Sequence, residues 1–126
     1  MTLQAGDSAP DFTLTSIGQD GPELVTLSQI TSGKNTLLLF FPMAFTGPCT
    51  TEMCDVSASL DRYTELGAQV FGVSGDNPFA QAAWAEKEGI TVPLLSDYEH
   101  QVAQQWGAAY DSFLPDMNLT MGGVTK

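Results

Sequence analysis

The chain opens on short apolar stretches separated by turn residues. Phe12-Thr13-Leu14 alternates directly after Pro10-Asp11, and Leu24-Val25-Thr26-Leu27 follows the turn signal Asp20-Gly21-Pro22. Residues 6–28 therefore predict two short strands among turns. Ser32-Gly33 punctuates again, and Thr36 to Phe41 then runs TLLLFF. A continuous apolar run with breaks on both sides suits a strand buried on both faces. Gln69 to Ser74 is a second run of the same kind.

Between these two strands, Cys49 to about Leu66 reads as a helix. Met53, Val56, Leu60 and Tyr63 follow Cys49 by 4, 7, 11 and 14 residues. At about 100° per residue, all four fall within roughly 40° of the Cys49 direction. Cys49 thus sits at the helix start on its core-facing side, with Asp61, Arg62 and Glu65 on the other. Strand, helix, strand predicts a parallel pair with a right-handed crossover. Further on, Pro78 to Glu88 predicts a helix that Gly89 stops. Val92-Pro93-Leu94-Leu95 predicts a short strand, placed by its proline near an edge or at a strand start. Tyr98 to Trp106 reads as a short helix closed by Gly107, and from Leu114 to Lys126 the pattern shows no clear element.

Composition narrows the function classes. The 126 residues suffice for one domain with a real core and are too few for two. Apolar residues make up 43% and charged ones 15%, a globular balance. Four basic residues against fifteen acidic ones give a net charge of −11, which argues against a nucleic-acid or anionic-membrane surface. No apolar stretch is long enough to span a bilayer, and Met1 to Pro10 lacks the basic head and apolar run of a secretory signal. Two cysteines are too few for a disulfide scaffold or, alone, for a closed zinc site. The expected setting is cytoplasmic, with both thiols reduced at rest and no cofactor or metal.

The informative segment is Phe41-Pro42-Met43-Ala44-Phe45-Thr46-Gly47-Pro48-Cys49-Thr50-Thr51-Glu52-Met53-Cys54. It carries a buried strand through a Pro/Gly loop into a helix N-terminus, at the strand end where α/β folds place their chemistry. A helix start offers unpaired N–H groups and partial positive charge, a setting that favours a thiolate. Thr46 can set a hydroxyl beside Cys49, and Glu52, three residues into the helix, is a possible cap partner. Free cysteine is also a common small buried hydrophobe. The residues alone leave Cys49 open between the two readings and favour the bland one for Cys54.

Pro42-x-x-x-Thr46-x-x-Cys49 resembles the active-site signature of the peroxiredoxins, the alkyl hydroperoxide reductase/thiol-specific antioxidant family. Gly6-Asp7-x-Ala9-Pro10-Asp11-Phe12, Phe40-Phe41-Pro42, Trp84 and Val92-Pro93-Leu94-Leu95-Ser96-Asp97 resemble further segments of that family, so the likeness covers nearly the whole chain. It implies a thioredoxin-like α/β fold, three layers in α/β/α order, as a single domain over residues 1–126. It implies that Cys49 is the peroxidatic cysteine, attacking the O–O bond of a hydroperoxide. Thr46 would then hydrogen-bond the reacting oxygens and Pro42 would shield the site. Glu52 and Trp84 match positions that line or brace the site in relatives; a helix cap and a core aromatic are their plainer readings. A thioredoxin-like protein would be the reductant.

Cys54, five residues after Cys49, resembles the resolving cysteine of the Q-type, bacterioferritin-comigratory peroxiredoxins, which are monomers. Residues five apart in a regular helix rise about 7.5 Å and turn about 140°, which puts their Cα atoms roughly 8.7 Å apart. A disulfide needs about 4.4–6.8 Å. If Cys54 resolves Cys49, the first turns of the helix must unwind in each cycle; otherwise Cys54 is idle and an outside thiol resolves. His100 reads as an ordinary helix residue.

The chain also departs from the family pattern. An arginine beside the peroxidatic thiol begins the strand that follows a segment like Gly122-Gly123-Val124-Thr125-Lys126 in relatives, and an antiparallel strand pair and a helix complete their fold. The sequence stops at Lys126, and its single arginine, Arg62, reads as a solvated surface charge. The expectation is a C-terminally shortened form with weaker catalysis, poor order or rearrangement from Leu114 onward, and self-association over an unpaired sheet edge. A thiol–disulfide oxidoreductase is the less fitting enzyme class, because its C-x-x-C spacing is replaced here by C-x-x-x-x-C. A domain that folds or self-associates without turnover is the alternative outside enzymes.

Overall fold

Five strands form one mixed sheet in the order β2-β1-β5-β4-β3. The computed structural model describes residues 3–118 and 122–126. β1 (Thr13–Gly18) and β2 (Gly21–Thr26) form an antiparallel hairpin, and Gly21 takes the positive φ of 110° that closes it. The short helix α1 (Leu27–Ile30) leads to β3 (Asn35–Phe40), which runs parallel to β4 (Ala68–Ser74). β5 (Leu94–Ser96) is parallel to β4 and meets β1 antiparallel through Thr15 and Ser96.

Helices cover both faces. Alternation along β4 and β5 sends Val70 and Leu94 to one face and Val73 and Leu95 to the other. On the first face, α2 (Gly47–Ala58), α3 (Leu60–Glu65) and α4 (Pro78–Glu88) bring Cys49, Met53, Leu60, Tyr63 and Trp84 onto Phe41, Val70 and Leu94. On the second, α1 and α5 (Gln101–Gln105) bring Leu27 and Val102 onto Phe12, Val73 and Leu95, with Trp106 packed at the margin. This is the three-layer α/β/α arrangement that the resemblance implied.

Several local expectations need correction. β3 is half-buried, not buried on both faces, because it is an end strand with β4 as its single neighbour. The helix read through to Leu66 is two helices that break at Ser59. Ser57 and Ser59 are weak helix formers, and the Ser57 hydroxyl accepts from Thr91 N at 3.0 Å instead of facing solvent. The break leaves the apolar face intact, since Leu60 and Tyr63 still pack on the same core. β5 lies in the middle of the sheet, with Pro93 just before its first residue, so the strand-start placement holds and the edge placement does not.

α4 begins and ends as read: the Asn77 side chain caps it by accepting from Ala80 N, and Gly89 closes it at φ 70°. α5 begins three residues later than expected. Asp97 Oδ1 and Oδ2 accept from Val102 N and Ala103 N, which starts the helix at Gln101 and leaves His100 outside it at φ 61°. His100 is therefore a turn residue. The expectation of poor order from Leu114 falls partly on residues 119–121, outside the described residues. The flanking residues are placed: Pro115–Met117 form a single 3-10 turn, Tyr110 N donates to Val124 O at 2.7 Å and Lys126 N to Ala108 O at 2.9 Å. Val124 and Thr125 are buried by that pairing.

Asp11 ties the start of β1 to α1. Its carboxylate accepts from Ser28 N at 2.9 Å, Ser28 Oγ at 2.8 Å and Phe12 N at 3.0 Å. The Ser28 backbone bond is the leading reason that its carboxyl titrates below the ordinary 3.8. A lowered folded-state value means that the stabilisation is full above the unfolded value and is lost as pH falls through the folded one. Asp11→Ala is expected to lower the Tm at pH 7, with the gap to wild type closing below about pH 3.8, read by circular dichroism melts across pH.

Candidate active site

The site lies where β3 crosses into α2. Phe41 N still donates to Val73 O at 3.0 Å, extending the strand pairing by one residue. Pro42 then ends the ladder, because it has no N–H to contribute. Residues 43–46 turn over the C-terminal ends of β3 and β4, and Phe45 takes a left-handed φ of 67° to complete the turn. Thr46 is the extended N-cap of α2, and Thr50 N donates to Thr46 O at 3.0 Å as the first intrahelical bond.

The helix begins at Gly47, two residues before the sequence reading placed it. Pro48 is tolerated in the first turn, where a missing N–H breaks no bond. Cys49 is thus the third helical residue, and the N–H groups of Gly47 and Cys49 precede the first intrahelical donor. Its side chain is 5% exposed and packs in the core cluster that includes Phe41, Ala44, Met53 and Trp84. The partial positive charge of the first turn acts on this buried sulfur.

Pro42, Thr46 and Cys49 follow one another along the segment that leads from β3 into the first turn of α2. The Thr46 hydroxyl donates to Met43 O at 2.7 Å, so its hydrogen is engaged and its lone pairs are left to accept from another group. Trp84 is fully buried; its indole N–H donates to Thr50 Oγ1 at 3.0 Å, and its ring centroid lies 5.3 Å from that of Phe41. It therefore joins α4 to the first turn of α2, which makes it a brace as well as a core aromatic. Glu52 is not brought in. It is the sixth helical residue and exposed, and Thr46 makes no side-chain capping bond. The capping reading fails because the earlier helix start moves Glu52 beyond the first turn.

Cys54 shares α2 with Cys49, and both are free thiols. Regular helix geometry holds their Cα atoms about 8.7 Å apart, beyond disulfide reach. Cys54 Sγ instead donates to Glu88 O at 3.6 Å, at the end of α4. Arg62 is exposed on α3. A cavity of about 1000 Å³ lies against Pro42, Met43, Asp76, His100 and Phe113, but Cys49 and Thr46 do not line it. Among the described residues, no group of three or more His, Cys, Asp or Glu side chains is placed to hold a metal ion. No described helix is long and apolar enough to cross a membrane.

Two residues at the site escaped the sequence reading. Thr50, named there only as part of the segment from Phe41 to Cys54, receives the Trp84 indole. Asp76 lies two residues past the end of β4, and Ala44 N in the site loop donates to its carboxylate. Its one signal was position, since it stands just past the C-terminal end of the strand beside β3.

Comparison with known proteins agrees with this geometry. The model of the AhpC/TSA family matches residues 5–122. Peroxiredoxin Bcp of Escherichia coli is 41% identical over 105 residues, which are 83% of this chain and 65% of that protein. The chain thus spans about two thirds of the length of the curated relatives it matches. The crystal structure of peroxidoxin BcpB from Mycobacterium tuberculosis superposes with a TM-score of 0.75 at 36% identity, covering 82% of this chain and 66% of that one. The reduced 2-Cys peroxiredoxin of Plasmodium vivax gives 0.77 at 28% identity, covering 84% and 70%.

The Trp84 brace gives a direct test. Trp84→Phe removes the donor to Thr50 and leaves a void in a fully buried position. It is expected to cost about 1–3 kcal/mol in urea unfolding. It should also speed amide exchange in residues 47–54 more than in β4.

Proposed function

Because the chain belongs to the AhpC/TSA family, we propose that it is a thiol-dependent peroxidase acting through Cys49. The observation that supports this reading is the start of α2, where Thr46 is the N-cap with its hydroxyl bonded to Met43 O and Cys49 lies buried in the first turn. The substrate is a hydroperoxide, hydrogen peroxide or an organic one. The Cys49 thiolate gives two electrons to one oxygen of the O–O bond. That bond breaks, the attacked oxygen stays on sulfur as a sulfenic acid, and the other leaves as water or an alcohol after taking a proton.

Each neighbour has a physical task in that step. The first turn of α2 sets Cys49 beside N–H groups that make no intrahelical bond. Thr46, with its own hydrogen engaged by Met43 O, accepts from the peroxide O–H and so orients the O–O bond. Pro42 and the Phe41–Trp84 pair keep bulk water from the sulfenic acid.

Cys54 then attacks the Cys49 sulfur. The S–S bond forms and the sulfenic oxygen leaves as water. Both cysteines sit on one helix, so this step needs local unwinding between them, and it links residues of a single chain. The single-chain disulfide is compatible with the monomeric parent type and with self-association of this form. A thioredoxin-like dithiol reduces the disulfide and closes the cycle. Recycling by a thioredoxin-like dithiol supports a reducing setting such as the cytoplasm.

The test is the intact mass of the reduced chain after one equivalent of hydrogen peroxide. Loss of two hydrogens in the wild type, gain of one oxygen in Cys54→Ser, and no change in Cys49→Ser are the expected results. An unchanged wild-type mass in a folded chain would sink the peroxidase reading and leave a domain without turnover. A disulfide-linked dimer on a non-reducing gel would overturn the single-chain resolving step.

A further inference from the structure

Asp76 stands outside the turn that carries the chemistry, yet it controls one of that turn's peptide planes. Ala44 N donates to Asp76 Oδ2 at 2.8 Å. The carbonyl of the same peptide unit belongs to Met43, and that oxygen accepts the Thr46 hydroxyl at 2.7 Å. A peptide unit is planar, with its N–H and C=O on opposite sides. Holding the N–H end therefore fixes where the C=O end points, and the C=O end fixes the Thr46 hydroxyl.

The carboxylate is itself held from behind. Ser74 Oγ donates to the same Asp76 oxygen at 2.7 Å, and Ser74 is fully buried. Gln81, 1% exposed on α4, donates to Ser74 Oγ and to Leu95 O, both at 2.9 Å. The Leu95 carbonyl can only accept, so the amide orientation of Gln81 is settled, and with it the direction in which Ser74 donates. Ser96 Oγ fixes the backbone of the same residue by donating to Asp76 O at 2.6 Å. A line of hydrogen bonds thus runs from α4 and the sheet through Asp76 to Thr46.

We infer that Asp76 is a positioning residue for peroxide reduction, acting through the Met43–Ala44 peptide to aim the Thr46 hydroxyl at the substrate oxygens. The inference rests on the peroxidase reading above. It separates two properties of Cys49. Reaction with peroxide needs the oriented hydroxyl, whereas alkylation by iodoacetamide needs only the thiolate.

The experiment compares both rates in a Cys54→Ser background, where the sulfenic acid is trapped with dimedone and counted by mass. Asp76→Ala should slow peroxide oxidation about 10- to 100-fold, the effect of one lost charge-assisted hydrogen bond. The iodoacetamide rate should change by less than about threefold. Asp76→Asn should restore peroxide oxidation to within about threefold of wild type. Its side-chain oxygen can accept from both Ala44 N and Ser74 Oγ, as Oδ2 does alone. Ser74→Ala, which frees the carboxylate without removing it, should show the same selectivity at smaller size, and it serves if Asp76→Ala does not fold. Equal peroxide rates in wild type and Asp76→Ala would overturn the assignment, as would equal losses in both reactions or no rescue by Asp76→Asn. A wild-type chain that fails to react with peroxide would overturn the peroxidase reading and this inference with it, an outcome distinct from the others.

Discussion

The parallel pairing of β3 with β4 sets the position of everything at the site. Its register runs from Asn35 opposite Ala68 to Phe40 opposite Val73, and Phe41 N adds one more bond to Val73 O. The two strands therefore end level. Their following loops leave the sheet side by side, which brings Asp76 to Ala44 and lets Ser74 stand behind both. A slip of one residue in this pairing would turn the alternating side chains of β3 to the wrong faces and part the two loops. The same register places Gly72 beneath α2, where an added Cβ would come within 2.9 Å of Met53 Cε and 2.8 Å of Leu94 Cδ2. The helix that carries Cys49 can approach the sheet closely because that position has no side chain.

The site is held from two sides, and the two attachments have different consequences. On the loop side, Asp76 and the Met43–Ala44 peptide fix the turn before the thiol. On the helix side, the Trp84 indole fixes Thr50, one residue after it, and Glu88 O receives the Cys54 thiol further along. The first attachment can persist through a catalytic cycle. The second spans the residues that must unwind for two sulfurs on one helix to meet. Gly47, Thr50 and Thr51 are weak helix formers in the first turns of α2, so tertiary contacts with α4 supply much of what keeps them wound.

Much of this was legible in the chain. The TLLLFF run, the Cys49–Met53–Val56 spacing and the Pro78 to Gly89 limits are local patterns, and local patterns survive into structure. The motif pointed to the segment from Pro42 to Cys49, and that segment joins β3 to the first turn of α2 with Cys49 buried there. What was lost were facts about neighbours distant in sequence. The half-burial of β3 depends on what pairs with its outer edge, which no apolar run records. The break at Ser59 depends on Thr91, thirty-two residues away. Glu52 was misplaced by two residues of helix start, a small error that matters because capping geometry acts only within one turn. Asp76 and Gln81 were silent because a short polar side chain near a strand end looks like any loop residue until its partners are known.

The chain's two tryptophans lie on opposite faces of the sheet. Trp84 is bound to the turn that carries Cys49, while Trp106 packs with Phe12 and Phe40 at 6.3 and 5.8 Å on the far side. Unwinding of α2 under the proposed disulfide would strip the first indole of its hydrogen-bond acceptor and leave the second on the opposite face. The fold would then carry an optical gauge of its own redox state together with a built-in reference.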